Sequence, residues 1–76
     1  MREFTDALGS RWNVVIGRES FGTFVLLFDR RDAPETRRLV VAPETVAAAE
    51  RELEELTDEE LQARLTQAEP WDGAGG

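Results

Sequence analysis

Carboxylates are the most numerous reactive side chains in this sequence, and they are concentrated toward its C-terminal end. Glu50, Glu54 and Asp58 follow one another at intervals of four residues. Carboxylates spaced in this way on a helix could hold a hard cation such as Ca2+ or Mg2+. However, Arg51 lies four residues before Glu55, which is the spacing of an ordinary ion pair on a solvated helix. We therefore expect an exposed acidic helix face and no metal site.

Arginines form a second candidate cluster, in the stretch RRDAPETRR at residues 30–38. Its four arginines are Arg30, Arg31, Arg37 and Arg38. A hairpin tip of this composition could bind phosphate groups or nucleic acid through charge-assisted hydrogen bonds. The alternative is a soluble turn whose charges protect a strand edge against aggregation. We favour the turn because the net charge of −7 opposes the approach of a nucleic acid.

Catalysis is not expected, because the side chains that most often perform it are missing. The sequence contains no histidine, cysteine, tyrosine or lysine. Carboxylates, hydroxyl groups and guanidinium groups remain for proton transfer or nucleophilic attack. The absence of cysteine also excludes disulfides and thiolate metal sites. We therefore expect no enzyme, no catalytic residue, no cofactor and no small-molecule substrate.

The composition is typical of a small globular domain, with 41% hydrophobic and 33% charged residues. No run approaches the roughly 18 apolar residues of a membrane span, and residues 1–9 lack the apolar core of a signal peptide. We therefore expect a cytoplasmic protein. All nine basic residues are arginine, which suggests a GC-rich bacterial genome.

Length and charge divide the chain into two parts. Its 76 residues suffice for one domain, which we expect at residues 1–71, followed by a flexible Gly-rich tail at 72–76. Residues 1–41 contain seven arginines and six carboxylates, whereas residues 42–76 contain two arginines and ten carboxylates. The acidity therefore belongs to the C-terminal part.

The first part has the pattern of four antiparallel strands. The strand-like segments are REF (2–4), RWNVVIG (11–17), FGTFVLLF (21–28) and TRRLVVA (36–42). Asp6 and Gly9 occupy the first and fourth places of a type I turn, where these residue types are favoured. Because all the connections are short, we expect a meander in which neighbouring segments pair.

A first helix is expected after the strands. Pro43 suits its first position, because the missing N–H is not needed there, and the adjacent Glu44 suits the positive end of the helix. The helix carries an apolar stripe at spacings of three and four, formed by Val46, Ala49, Leu53 and Leu56.

A second helix begins with the most specific local signal in the sequence. Thr57 followed by Glu60 predicts a capping box, in which each residue bonds to the backbone of the other. Pro70 ends this helix, and we expect Trp71 to fold back onto the core. Its apolar stripe consists of Leu61, Leu65 and Ala68. Together the segments predict an α+β fold of four strands and then two helices, packed on one face of the sheet.

The strand FGTFVLLF is apolar on both faces, so a second covering surface is needed. The helices can cover one face, and curling of the sheet into a half-barrel could hide the other. We instead expect part of the sheet to stay exposed, because so short a chain buries little surface. The residues expected there, as anchors for a protein partner, are Trp12, Phe24, Leu26 and Phe28.

These features favour a small protein-binding module, an adaptor or regulator, that acts through an apolar sheet face alone or as a homodimer. The acidic helical face at residues 50–60 is a competing surface that could bind a basic partner. Phosphate or nucleic-acid binding through the arginine stretch is the second hypothesis. A third rests on Gly75 and Gly76, which resemble the diglycine end of ubiquitin-like modifiers. The order of elements differs from that family, which favours a plain tail.

Overall fold

A computed structural model describes residues 2–19, 22–43 and 45–71 of the chain. The elements are β1 (Arg2–Thr5), β2 (Arg11–Arg18), β3 (Phe24–Arg30), β4 (Thr36–Val40), α1 (Val46–Glu55), α2 (Asp58–Gln67) and β5 (Glu69–Pro70). The strands form one antiparallel sheet in the order β1-β2-β3-β4-β5, and both helices follow the fourth strand. The predicted α+β fold is confirmed, with a short fifth strand added. The predicted tail at 72–76 lies outside the described residues.

The turn between β1 and β2 forms where the sequence predicts it. The Gly9 N–H donates to the carbonyl of Asp6 at 3.0 Å, and Gly9 has a φ of 88°, a left-handed conformation that glycine adopts without strain. The Asp6 carboxylate also accepts from the N–H groups of Leu8 and Ser10, at 2.9 and 2.8 Å. These bonds fix the register in which Phe4 lies opposite Trp12.

The central strand begins later than its sequence pattern predicts and continues further. β3 starts at Phe24 because the preceding residues form the connection, in which the Glu19 N–H donates to the Thr23 carbonyl at 2.7 Å. Gly22 has a φ of 76° in the same connection. The predicted first residue, Phe21, lies outside the described residues. Val25 and Leu27 share one face of β3, as predicted.

The first helix begins at Val46 rather than at Pro43. Thr45 is its N-cap, since the Thr45 hydroxyl accepts a hydrogen bond from the Ala48 N–H at 3.2 Å. The predicted capping box of the second helix is confirmed. Thr57 Oγ1 accepts from the Glu60 N–H at 3.1 Å, and Glu60 Oε1 accepts from the Thr57 N–H at 2.9 Å.

The hydrophobic core lies between the helices and one face of the sheet. It consists of Phe4, Trp12, Val14, Leu26, Phe28, Leu53, Leu56, Leu61, Leu65 and Ala68. The rings of Phe4 and Phe28 meet edge to face, with their centroids 6.2 Å apart. Each large side chain buried in this way stabilises the fold by about 1.5–3 kcal/mol. Among the described elements, no helix has the length and hydropathy needed to cross a membrane.

The end of the second helix differs from the expectation. After Ala68, which is buried, the chain does not return to the core but pairs with the edge of β4 as β5. The Trp71 N–H donates to the Thr36 carbonyl at 2.9 Å, and 38% of Trp71 remains exposed. The expectation that Trp71 packs onto the core is therefore wrong.

Candidate functional site

The four residues expected to be exposed for a partner are buried in this structure. Trp12, Phe24, Leu26 and Phe28 expose only 2%, 5%, 2% and 0% of their surface. Three of them belong to the core beneath the helices, and the guanidinium of Arg18 lies 5.4 Å from the centroid of the Phe24 ring. The expectation of exposure at these positions is wrong. The helices cover this face because it carries the largest apolar side chains, whose burial contributes most free energy.

The opposite surface of the sheet, which we call the open face, is the better candidate. The buried residues of both helices pack on the other side. Because side chains alternate along a strand, the open face collects the residues between the core positions. It has an apolar end, formed by Val15, Gly17, Val25, Leu27 and Val40. It also has a polar end, where Glu3, Asn13, Asp29 and Thr36 lie side by side across four strands.

The apolar end groups aliphatic side chains of three neighbouring strands, with Arg38 beside Leu27 in the same row. Val15 lies opposite Leu27, and Val25 lies between Gly17 and Val40. Val40 is 52% exposed, Val15 and Leu27 are half-buried, and Val25 is buried. Isolated exposed aliphatic residues are ordinary, whereas adjacent ones on one face of a sheet form a candidate contact surface.

Gly17 gives the apolar end its shape. A Cβ atom at this position would stand 2.8 Å from Leu27 Cδ1 and 3.1 Å from Val25 Cγ2. The side chain of Leu27 therefore leans across β2 into the space that glycine leaves. A larger side chain at position 17 would displace Leu27 and Val25 from this packing.

Two arginines on the open face are held by carboxylates of the same chain. Arg38 contacts Glu19 at 3.3 Å and Glu69 at 3.5 Å, and Arg31 contacts Glu3 at 2.6 Å. Asp29, on the same face, accepts a hydrogen bond from the Thr36 hydroxyl at 3.2 Å. The open face therefore combines aliphatic side chains toward one end with charged groups, of which Arg38 lies directly beside Leu27.

Two buried polar atoms on the open face lack a hydrogen-bond partner among the described residues. They are Oδ1 of Asn13 and Nε of Arg38. Unpaired polar atoms are uncommon in folded proteins and lower stability.

Trp71 lies at the margin of the open face. Beyond β5 the alternation places it on the same side as Glu69 and Thr36, and it borders a cavity of about 480 Å3 with Pro34 and Pro70. An exposed tryptophan beside a surface depression is a common anchor in protein interfaces.

The structure does not bring the four arginines of residues 30–38 together. Arg31 and Arg38 lie on the open face, whereas Arg30 and Arg37 lie on the helix side. Arg30 contacts Asp32 at 2.7 Å. Each of the four guanidinium groups is thus engaged by a carboxylate of the same chain.

Glu35 is the centre of the helix-side arginine cluster. Its carboxylate accepts from Arg37 at 2.7 Å and from Arg30 at 3.1 Å, and these bonds lower the pKa of Glu35. Hydrogen bonds to Asp32 and Glu35 raise the pKa of Arg30. The Arg37 guanidinium also lies 5.8 Å from the centroid of the Trp12 ring. This network stabilises the hairpin tip.

The acidic helical face is solvated. Glu50, Glu54 and Asp58 are exposed, and Asp58 pairs with Arg2 at 3.1 Å. In the described ranges, no group of three or more carboxylate side chains is placed to hold a metal ion.

Sequence reasoning missed Val15, Leu27, Val40 and Trp71 as surface residues. A signal for the first three was present, since the neighbouring positions of the open face include Asn13 and Asp29, whereas the core face of β3 is aromatic and aliphatic from Phe24 to Phe28. For Trp71 the deciding contact is a hydrogen bond to Thr36, which no local pattern predicts.

No protein-family model, curated protein or solved structure matches the chain at a significant level. The functional argument therefore rests on the residues of the open face.

Proposed function

We propose that this protein is a small non-catalytic binding module, an adaptor or regulator, that recognises a protein partner through the open face of its sheet. The observation that carries the proposal is the group of aliphatic side chains Val15, Leu27 and Val40 on the open face, together with Trp71, which is exposed beside the polar end of the same face. Aliphatic and aromatic side chains with a polar rim around them are the usual anatomy of an interface.

Three carboxyl groups are tied up in structural hydrogen bonds. These bonds lower the pKa of Asp6, Glu35 and Glu60. The three groups therefore stay ionised at neutral pH and are not placed to act as general acids there.

Anion binding at residues 30–38 is less favoured. A phosphate would have to displace carboxylates such as Glu35, which already accepts from both Arg30 and Arg37. Binding through these arginines would also weaken steeply as salt is added, whereas contact through the open face would not.

Affinity capture with a matched pair of variants tests the proposal. Val40→Glu places a charge on the open face, and Val46→Glu places the same charge on α1, where Val46 is similarly exposed at 44%. We expect the tagged wild type and Val46→Glu to retain the same protein from cells of the source organism, and Val40→Glu to lose it. Equal retention by both variants would contradict the proposal.

A further inference from the structure

The last described segment of the chain, Glu69–Trp71, is attached to the sheet by a small contact, and we call it the strap. Its register on the outer edge of β4 places Glu69 opposite Arg38. We propose that an extended segment of the partner protein displaces the strap and adds to β4 as a new edge strand. The inference rests on the proposed function, because it states how the partner of the same sheet binds.

The strap is held by few interactions. Both residues of β5 are exposed, and Pro70 has no N–H to donate to the sheet. Glu69 lies 3.5 Å from Arg38 with 68% of its side chain exposed, and surface ion pairs of this kind contribute little. The Trp71 N–H donates to the Thr36 carbonyl at 2.9 Å. These are the features of a segment that opens without unfolding the rest of a protein.

The packing beside the strap is incomplete. The strap lines a cavity of about 480 Å3 together with Pro34, Thr36 and Arg38. Side-chain atoms that border empty space lack contacts on that side and lose the dispersion attraction that those contacts would supply. Trp71 keeps 38% of its surface exposed, so it is not anchored in the core. Displacement of the strap therefore exposes little apolar surface that the fold had buried.

The backbone of β4 can form more hydrogen bonds than the strap uses. On the β3 side, the Val41 N–H donates to the Phe24 carbonyl at 3.0 Å. Because backbone groups alternate in direction along a strand, those of Arg38 and Val40 point to the other side, toward the strap. Within the described residues, the pairing with β5 includes Arg38 and stops short of Val40. A longer segment would pair with Val40 as well.

The strap itself indicates which kind of segment fits this edge. It runs antiparallel to β4 and places a carboxylate opposite Arg38. Val40, two residues further along β4, is 52% exposed. Side chains at alternate positions of a strand share a face and interact with those directly opposite. We therefore expect the partner segment to carry an apolar residue opposite Val40 and, two residues later, an acidic residue opposite Arg38.

Amide hydrogen exchange of the full chain, measured by NMR, tests whether the strap opens. The Arg38 N–H points toward the strap, whereas the Leu39 N–H points toward β3. We expect the protection factor of Arg38 to be about 100-fold lower than that of Leu39, because local opening exposes the first and loss of the sheet is needed for the second. Equal protection factors would show that the strap opens only with the sheet, which would overturn the proposal.

A disulfide provides a matched control, because the chain has no cysteine of its own. Arg37→Cys/Pro70→Cys joins a directly opposed pair, and the Cα separation of such pairs, about 4.5–5.5 Å, suits a disulfide. The oxidised form holds the strap in place, whereas the reduced form has the same substitutions and a strap that can open. With both forms shown to be folded by circular dichroism, we expect the reduced form to retain the protein captured by the wild type and the oxidised form to lose it. Equal retention by the two folded forms would overturn the proposal.

Exchange in the bound state separates this inference from the proposed function. A partner that adds as a strand gives the Val40 N–H an acceptor, so we expect exchange at Val40 of the wild type to slow by about 10-fold or more when the captured protein is added. An unchanged rate at Val40 in the complex would overturn strand addition and leave the open face as the contact surface. Equal retention of the captured protein by Val40→Glu and Val46→Glu would instead contradict the proposed function.

Discussion

The indole Nε1 of Trp12 donates a hydrogen bond to Oδ2 of Asp6 at 2.8 Å, which joins the first hairpin turn to the core. The other oxygen of Asp6 accepts from the backbone N–H groups of Leu8 and Ser10. One carboxylate thus closes the turn and fixes the tryptophan that lies beneath the helices. Burial acts to raise the pKa of Asp6, but these hydrogen bonds outweigh it, and the pKa is lowered overall.

We therefore expect Asp6→Ala to destabilise the fold by about 1–3 kcal/mol, because it leaves the indole N–H and two backbone donors without their acceptor. Urea unfolding followed by tryptophan fluorescence would measure the loss. Asp6→Asn is the matched control, since its amide oxygen can still accept from the backbone while its NH2 group cannot serve Trp12. Asp6→Asn should therefore lose only the indole bond, and a stability of Asp6→Asn equal to that of the wild type would contradict the role assigned to that bond.

Glu35 gives a prediction for pH. Its pKa is below the ordinary value of 4.5 because Arg37 and Arg30 donate to it in the folded protein. A lowered folded-state pKa contributes stability above the unfolded value, and that contribution is lost as the pH falls through the folded value. Glu35→Gln should therefore destabilise the protein at pH 7, and the difference from wild type should shrink below about pH 4.5. Urea midpoints of both proteins across this range would measure it, and a difference that grows toward low pH would contradict the ion-pair geometry.

The capping box provides a prediction about the second helix. Thr57→Ala removes the acceptor for the Glu60 N–H and should destabilise the protein by about 1 kcal/mol. In a domain of this size, that change lowers the melting temperature by roughly 4–8 °C. Thr66→Ala is the control, since Thr66 is exposed on the same helix and its hydroxyl donates only to the carbonyl of Gln62. Equal melting temperatures for the two variants would contradict the capping role.

The two faces of the sheet should respond differently to a charge. Phe28 is fully buried, so we expect Phe28→Asp to unfold the chain. The free energy needed to bury an unpaired carboxylate exceeds the folding free energy of so small a domain. Val40→Glu should stay folded, because Val40 is half exposed. Circular dichroism and thermal melts would compare them. A folded Phe28→Asp would contradict the assignment of the core face.

Local patterns predicted most of the architecture. The alternation in β2, the Asp6 turn and the Thr57 capping box each depend on residues close in sequence, and each forms as predicted. The predicted start of the first helix at Pro43 was wrong. Thr45 supplies a capping hydroxyl, whereas Pro43 supplies only a favourable backbone conformation, and the helix begins at Val46.

The site was harder to predict because it depends on which face of the sheet the helices pack against. Both faces of FGTFVLLF are apolar, so the sequence of this strand alone does not indicate which face the helices cover. The decision comes from its neighbours, since Trp12 and Val14 extend one face while Asn13 and Gly17 interrupt the other. The position of Trp71 depends on pairing with Thr36, 35 residues earlier in the sequence, and no nearby residue signals it.

Methyl NMR of the protein titrated with its captured partner would test the central claim most directly, because it locates contact residue by residue without any substitution. We predict that the methyl signals of Val15, Leu27 and Val40 shift as the partner is added, while those of Val46 and the buried Leu61 stay fixed. Shifts confined to the helices, with the signals of Val15, Leu27 and Val40 unchanged, would contradict the open face as the contact surface.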